Sequence, residues 1–327
     1  MERYGKIIGV DKPVSRMIFG CAIKPMNQGI RVDTLLDRAL ELGINAFDTA
    51  RVYGKSEASL GGWVKARGNR EKVVLLSKGG HPVIQFTDKG PEVKKRRITR
   101  EDIRSDLETT LIKLGVDELD IYLLHRDDPS VPVGEIAEWM DELVKEGKVR
   151  AIGGSNWTYQ RIAEQREYAA AHNLTPFTVS SPHYSLAELG CDIYGDGCVT
   201  LTGQMHAKAR KWYRENPVAV VSYASLSNGF FGGKVHGNDY ENREQLLDPL
   251  SLPAFGSREN FARLQRAEQL AREKGCTTAQ LALAWCFADG MNLFAAAGST
   301  HAERVEENLE ALDIVLSKEE AQWLCNG

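Results

Sequence analysis

The sequence LDIYLLH at residues 119–125 is a short apolar run that stops at an ionisable side chain, His125. Two earlier runs stop in the same way: INAFD ends at Asp48, VVLLSK ends at Lys78, and Tyr53 follows shortly after Asp48. Such runs, rich in Val, Leu, Ile and aromatic residues and separated by helical patterns, are typical of buried parallel strands. Because chemistry in these folds collects at the carboxyl ends of the strands, we expect the four side chains to share one site.

Strand and helix patterns alternate along the whole chain, which predicts a single (β/α)8 TIM barrel over residues 1–327. Apolar residues at helical spacing predict the outer helices, and the clearest of these begins after Thr99 and ends at Gly115. Three connections, residues 81–98, 183–200 and 224–256, exceed ordinary loop length and are predicted functional loops, the last two over the carboxyl-end face. The predicted strands are residues 17–21, 46–49, 73–78, 121–125, 149–153, 177–181, 218–222 and 293–296.

The composition is that of an ordinary globular enzyme, with 43% hydrophobic and 26% charged residues in a chain of 327. A net charge of -4 gives no general attraction to nucleic acid, and no apolar run approaches the ~20 residues of a membrane span. The six cysteines show no paired spacing and the N-terminus lacks a signal-peptide pattern, so we expect a cytoplasmic protein. These observations favour a small-molecule substrate over nucleic acid or membrane partners.

The four strand-end residues suit proton donation to a carbonyl oxygen. A free tyrosine titrates near ~10, too high for easy exchange at neutral pH. Lys78 beside it is expected to lower the pKa of Tyr53, and Asp48 to hold the ammonium in place. His125 is then expected to hydrogen-bond the substrate oxygen. The residues alone therefore favour an oxidoreductase that acts on carbonyl groups.

The order of these motifs resembles the aldo-keto reductase family. The resemblance spans residues 19–316 and implies a (β/α)8 barrel whose bottom is closed by an N-terminal hairpin. It also implies reduction of an aldehyde or ketone to an alcohol by NADPH, with Tyr53 as general acid and NADH as an alternative cofactor. The sequences that carry it are GINAFDTA (43–50), YGKSE (53–57), SK (77–78), LLH (123–125), GKVRAIGGSN (147–156), YASL (223–226), GST (298–300) and ENL (307–309).

The resemblance further implies a set of cofactor contacts. Ser155 and Asn156 match positions that hold the nicotinamide carboxamide, and Tyr223 matches the ring that stacks on the nicotinamide. The chain departs from the family at two positions, with Ser181 in place of a glutamine and Gly298 in place of a lysine. The full expected set is Gly20, Ser155, Asn156, Ser181, Tyr223, Ser225, Leu226, Ser227, Gly298, Ser299, Thr300, Arg304, Glu307 and Asn308.

Near the end of the chain, Thr300 and Glu303 have the spacing of a capping box, which predicts a helix start that offers backbone amides to an anion. Arg304 follows directly, and its planar fork suits the 2′-phosphate of NADPH. Glu307 and Asn308 match the family's adenine contacts. Together these residues favour NADPH over NADH.

The predicted substrate pocket contains one arginine and three aromatic side chains. A rim with Arg126, Asp127 and Asp128 favours a hydroxylated, sugar-like aldehyde or ketone over a steroid. The four predicted pocket residues are Arg126, Trp157, His183 and Phe230.

Two other functions stay open at this point. One is a nicotinamide-binding regulatory or redox-sensing subunit, since the family includes members that attach to potassium channels. The other is a metal-dependent sugar isomerase, which needs carboxylates and histidines clustered at strand ends, where only Asp48 and His125 qualify. We predict no metal site, because the spacing of Cys191 and Cys198 is loose and His183 adds only a third ligand.

Overall fold

Eight parallel strands close into a barrel in the computed structural model of the protein, which describes residues 1–87, 90–195 and 197–327. Counted along the chain, the barrel consists of the third, fourth, fifth and eighth to twelfth strands, and the last of these pairs with the first to close it. All eight predicted strands are confirmed, with ends that agree within two residues. In chain order the strands are β1 (Tyr4–Gly5), β2 (Val14–Ser15), β3 (Met17–Gly20), β4 (Ala46–Asp48), β5 (Val74–Gly79), β6 (Val83–Thr87), β7 (Gly90–Lys95), β8 (Leu119–Leu124), β9 (Val149–Ser155), β10 (Val179–Ser181), β11 (Ala219–Ser222) and β12 (Leu293–Ala297).

Helices alternate with these strands and bury their apolar faces against the barrel. The predicted cap at Thr99 is confirmed: its side chain accepts a hydrogen bond from the Asp102 amide, and the helix ends at Gly115 with φ 67°. The helices are α1 (Lys24–Asn27), α2 (Asp33–Glu41), α3 (Ser56–Arg67), α4 (Arg100–Leu114), α5 (Val133–Lys145), α6 (Tyr159–His172), α7 (Ala207–Glu215), α8 (Arg243–Leu246), α9 (Ser251–Phe255), α10 (Arg258–Lys274), α11 (Thr278–Phe287), α12 (Ala302–Leu309) and α13 (Lys318–Asn326).

The barrel interior is filled by side chains from alternate strand positions, since successive residues of a strand face opposite sides. The N-terminal hairpin of β1 and β2 adds Ile7, Val10 and Val14 to this interior cluster, which confirms the hairpin predicted for this segment. The cluster's strand members are Ile18, Ala46, Val74, Leu76, Ile121, Leu123, Ala151, Val179, Ala219, Val221 and Phe294.

One glycine sets the spacing between two of the barrel strands. A Cβ at Gly153 in β9 would lie 1.8 Å from the carbonyl oxygen of Val179 in β10. No side chain fits at that distance, so the close approach of β9 to β10 requires glycine here.

A buried carboxylate joins the hairpin to the amino-terminal side of two strands. Asp120, only 1% exposed, pairs with Lys12 at 2.9 Å and with Arg70 at 2.8 Å. It also accepts the Leu75 amide of β5 at 2.9 Å. Its oxygens are therefore satisfied by two cations and a backbone N–H.

The connection 81–98, predicted as a long functional loop, contains an antiparallel hairpin of β6 and β7 that the sequence did not indicate. Its residues include exposed Val83 and Val93 and a run of basic side chains, so it lacks the apolar pattern that marks a buried strand. The hairpin packs against the connection 183–200: a Cβ at Gly195 would lie 3.0 Å from Pro91. The third long connection, residues 224–256, contains the short helices α8 and α9.

All six cysteines are free thiols, and burial is the largest cause that raises the pKa of each one. The pKa of Cys198, for example, is raised to about 11. Within the described residues, the helices are all too short or too polar to cross a membrane.

Candidate active site

A cavity of about 1170 Å³ opens where the barrel strands end. Its walls include Gly20 at the end of β3, Asp48 at the end of β4, and Ser155 at the end of β9. Lys78 lies near the end of β5, and His125 directly follows β8. The carboxyl-end face of the barrel is therefore concave and lined by polar groups, as enzyme sites in this fold are.

The structure brings together the four residues that the sequence predicted at strand ends. Lys78 forms a salt bridge with Asp48, and both side chains are almost fully buried. The Lys78 ammonium also lies 5.3 Å from the centroid of the Tyr53 ring. Tyr53 and His125 meet edge to face, with ring centroids 5.8 Å apart. We call these four residues the tetrad.

Burial and the ion pair act in opposite directions on the proton affinity of the tetrad. Burial raises the pKa of Tyr53 above its usual value, while the positive charges of Lys78 and Arg126 lower it. The sequence-based expectation that Lys78 brings the pKa of Tyr53 down is thus right for the contribution of Lys78 and wrong for the total. Burial alone would favour a neutral Lys78, but Asp48 and Tyr53 together raise its pKa, so the ammonium persists.

His125 is a neutral imidazole at physiological pH. Burial, with Lys78, His81 and Arg126 adding to it, holds the pKa of His125 well below its usual range. Its Nδ1 atom is buried and has no hydrogen-bond partner among the described residues. A neutral ring next to Tyr53 is able to donate one hydrogen bond without adding charge to the site.

A second polar group lies beside the tetrad and centres on Asn156. Its Nδ2 donates to Ser155 Oγ at 3.2 Å, and its Oδ1 accepts from the Tyr223 hydroxyl at 2.7 Å. Ser155 Oγ donates to the carbonyl oxygen of Ser181 at 2.9 Å. Ser181 thus holds Ser155 through its backbone, although its own side chain does not line the cavity. The Tyr223 hydroxyl also lies 2.6 Å from Cys198 Sγ.

The backbone around this group is strained. Asn156 has φ 59° directly after β9, and Ala224, Ser227 and Asn228 have φ between 50° and 54° after β11. Left-handed backbone at non-glycine residues costs free energy and concentrates at functional sites. The strain here borders the cavity on two sides, which supports a binding role for this part of its wall.

A third group of lining residues comes from the last strand and helix, as predicted. Gly298 and Ser299 follow β12, and Arg304, Glu307 and Asn308 lie on α12. A Cβ at Gly298 would lie 2.6 Å from the carbonyl oxygen of Gly20, so only glycine fits at this position. The lysine that the family resemblance implied at this position would have no room.

The predicted capping box of Thr300 and Glu303 is wrong. Helix α12 begins at Ala302 after His301, whose side chain makes no capping hydrogen bond. The Ser299 hydroxyl instead accepts the His301 amide at 3.0 Å. Helix α12 thus begins one residue later than the sequence spacing indicates. Thr300 lies outside the cavity wall.

Three of the four residues predicted for the substrate pocket do not line the cavity. Trp157 is fully buried and packs against Phe177. His183 is buried and bonds Thr200 through Nδ1 at 2.9 Å, which joins the two ends of the connection 183–200. Phe230 belongs to an aromatic core cluster. Of the cofactor set, Ser227 is likewise buried away from the cavity, and its hydroxyl donates to Ser185 at 3.0 Å.

Arg126 does line the cavity, but its acidic neighbours do not. Asp127 pairs with Arg161 at 3.2 Å, and Asp128 accepts hydrogen bonds from the Ser130 amide and hydroxyl. Of the rim that favoured a sugar-like substrate, only Arg126 therefore belongs to the described cavity wall.

Several lining residues escaped the sequence-based prediction. His81 stacks edge to face on His125 at 4.8 Å and follows Lys78 by three residues, so the strand-end argument could have found it. Tyr194 lies on the predicted loop 183–200. Arg272 on α10 gave no signal, because a basic residue near a helix end is usually solvated. No group of three or more His, Cys, Asp or Glu suited to a metal ion occurs within the described ranges.

Comparisons with known proteins agree with this fold and site. A model of the Aldo/keto reductase family matches residues 17–324. A probable aldo-keto reductase 1 from Glycine max is 31% identical over 316 residues, which cover 94% of this chain and 83% of that protein. The aldo-keto reductase yakc [NADP(+)] from Schizosaccharomyces pombe is 27% identical over 305 residues, covering 92% and 82% of the two chains.

Among solved structures, the glycerol dehydrogenase AKR11B4 from Gluconobacter oxydans superimposes with a TM-score of 0.76 at 24% identity. The match covers 98% of this chain and 94% of that one, and it shows the shared barrel fold. The family match extends across nearly the whole chain. The protein belongs to the aldo/keto reductase family and is an oxidoreductase.

Proposed function

We propose that the protein reduces an aldehyde or ketone to the alcohol with NADPH, and that Tyr53 supplies the proton. The observation that carries the proposal is that one cavity is lined both by the tetrad and by Arg304, Glu307 and Asn308. A reductase needs a proton donor and a cofactor site in a single space.

The cavity-lining residues fit a nicotinamide dinucleotide phosphate. Arg272 and Arg304 are exposed, and neither has an ion-pair partner among the described residues. Two unpaired guanidinium groups suit phosphate oxygens. Ser155 and Asn156 add hydroxyl and amide groups next to the tetrad, where a carboxamide needs both donors and acceptors. A relative in fission yeast carries NADP(+) in its name, which agrees with this choice.

The tetrad supplies the proton that the carbonyl oxygen needs during reduction. When bound, the reduced nicotinamide supplies a hydride to the carbonyl carbon. The Tyr53 hydroxyl gives its proton to the carbonyl oxygen, and Lys78 stabilises the phenolate that remains. Asp48 keeps the ammonium in place, and neutral His125 donates a hydrogen bond that orients the same oxygen. Solvent then returns a proton to Tyr53.

The pKa shifts predict the pH dependence of the reaction. His125 gains a proton only well below its usual pKa, and Tyr53 loses one only above its usual value. Between these limits both are neutral, so kcat/KM for reduction should be flat from about pH 6.5 to about pH 9. Oxidation of the alcohol needs the phenolate and should accelerate as the pH rises. If kcat/KM for reduction fell as the pH was lowered, with an apparent pKa near 6.5, the result would contradict a neutral His125.

Replacing Arg304 by alanine should weaken NADPH more than NADH, because only NADPH has a 2′-phosphate. Loss of a charge-assisted hydrogen bond costs about 1.5–3 kcal/mol, or roughly ten- to a hundredfold in affinity. Fluorescence titration with both cofactors measures the difference. Arg214→Ala, on α7 and paired with Asp289, is a matched control outside the cavity. Equal weakening of both cofactors by Arg304→Ala would remove this residue from the phosphate site.

The direct test of the proposed function is a panel of aldehydes, ketoses and keto-glycosides, followed at the nicotinamide absorbance with NADPH and with NADH. We expect consumption of NADPH with simple aldehydes. Tight binding of NADPH without turnover of any carbonyl would overturn the proposal and favour a regulatory role.

A further inference from the structure

One cationic side chain in the cavity affects the pKa of Tyr53 and His125 but takes no direct part in the steps described above. Arg126 is only 4% exposed, yet it lines the cavity next to His125. No carboxylate of the described residues lies within ion-pair distance of it, although its neighbours Asp127 and Asp128 both have polar partners of their own. Burying a charge without a counter-charge is costly, so an unpaired guanidinium in a cavity wall points to a ligand that supplies the charge.

The hydrogen-bonding capacity of Arg126 is only partly used. Its Nε donates to the carbonyl oxygen of Gly195 at 3.3 Å, and its Nη1 donates to that of His125 at 2.9 Å. A guanidinium has five N–H groups, so three remain, including both on Nη2. No described residue accepts a hydrogen bond from Nη2, and Arg126 lines the cavity. The two contacts hold the guanidinium in place and leave the Nη2 donors available to a ligand.

The surroundings favour a single negative charge. The one carboxylate of the tetrad, Asp48, is already neutralised by Lys78. Burial keeps His125 neutral, and the charge of Arg126 is close enough to lower the pKa of both Tyr53 and His125. Among the described residues, the wall next to the reacting groups thus carries one uncompensated positive charge. A monoanion with two coplanar oxygens matches it, whereas a phosphate dianion would need further cations.

We infer that the substrate is an aldehyde or ketone that also bears a carboxylate, and that Arg126 binds this carboxylate while Tyr53 and His125 face the carbonyl. The inference rests on the proposed reductase function and names its substrate class. It replaces the sugar-like substrate expected from the sequence, since the acidic residues behind that expectation lie outside the cavity wall.

The test compares formylbenzoates substituted at positions 2, 3 and 4 with their uncharged methyl esters, at saturating NADPH. The positional series samples different separations between carbonyl and carboxylate. We expect the wild-type protein to have a higher kcat/KM for at least one acid than for its ester. Arg126→Met should reduce that acid-to-ester ratio by about ten- to a hundredfold, and Arg126→Lys should restore part of it.

A ratio cancels general losses of activity, since any damage to the fold affects acid and ester alike. Arg96→Gln is the matched control: it removes a positive charge that lies near Asp128 but does not line the cavity, and it should leave the ratio within about twofold. Inhibition of the wild-type protein by benzoate and by benzamide gives a readout that needs no variant, and benzoate should bind more tightly.

Two outcomes would overturn the inference while leaving the reductase proposal intact. One is turnover of the esters with an acid-to-ester ratio at or below one at every position, with equal inhibition by benzoate and benzamide. The other is an unchanged ratio in Arg126→Met, which would leave Arg126 only as the support of Gly195 and His125. Failure of the wild-type protein to reduce acids, esters or the uncharged aldehydes of the wider panel would instead overturn the proposed function.

Discussion

The Tyr53→Phe protein is expected to bind NADPH almost as tightly as the wild type but to turn over its carbonyl substrate about 10²–10⁴-fold more slowly. The phenyl ring keeps the edge-to-face contact with His125 and the position above Lys78. The change removes the proton donor and its hydrogen bond with Lys78. Single-turnover measurements with bound NADPH isolate the chemical step, and fluorescence titration reports cofactor affinity.

Tyr168→Phe is the matched control for this change, because Tyr168 is a remote surface residue whose hydroxyl bonds Glu138. Its turnover should equal that of the wild type. Near-normal single-turnover rates in Tyr53→Phe would show that another group donates the proton. A large loss of NADPH affinity would show instead that Tyr53 mainly shapes the cofactor site.

Replacing Asp120 by alanine is expected to destabilise the fold by about 3 kcal/mol, which is large against the roughly 5–15 kcal/mol that separates folded from unfolded proteins. The change leaves Lys12 and Arg70 without their shared carboxylate and the Leu75 amide without its acceptor. The two cations are partly exposed, so solvent screens part of the loss and the lower end of the range applies. Urea unfolding followed by tryptophan fluorescence measures the change.

The matched control is Asp313→Ala, which removes an exposed ion pair with Arg3 at a side-chain exposure of 58%. Surface pairs of this kind contribute about 0–1 kcal/mol. If Asp120→Ala unfolded at the same urea concentration as this control, the buried ion pairs of Asp120 would contribute no more to the stability of the fold than a surface pair does.

The residues at the strand ends were predictable from the sequence because the end of each apolar run marks a position on one face of the barrel. Each apolar run must stop where its strand leaves the barrel, and parallel strands all stop on the same face. Asp48, Lys78 and His125 therefore converge although they are far apart in the chain. The same logic extends to His81, which two glycines separate from the predicted strand end at Lys78.

The aromatic residues of the pocket were not predictable in the same way. Trp157, His183 and Phe230 lie near strand ends or in long connections, but burial in the core and exposure to a cavity give the same sequence pattern. Which side a ring faces depends on a single rotation of the backbone, such as the left-handed turn at Asn156. The hairpin of β6 and β7 was missed for a related reason: it rests on another loop, and its exposed strands need no apolar alternation.

The burial of the free thiols affects how readily carbonyl compounds modify the protein. Reactive carbonyl compounds modify cysteine through the thiolate form, and cavities that concentrate such compounds put nearby thiols at risk. Cys276 lines this cavity, and Cys198 lies against Tyr223. With its pKa raised to about 11, Cys198 is a thiolate in only about one molecule in 10⁴ at neutral pH. Burial thus lowers the reactivity of Cys198 towards the carbonyl compounds that we propose as substrates.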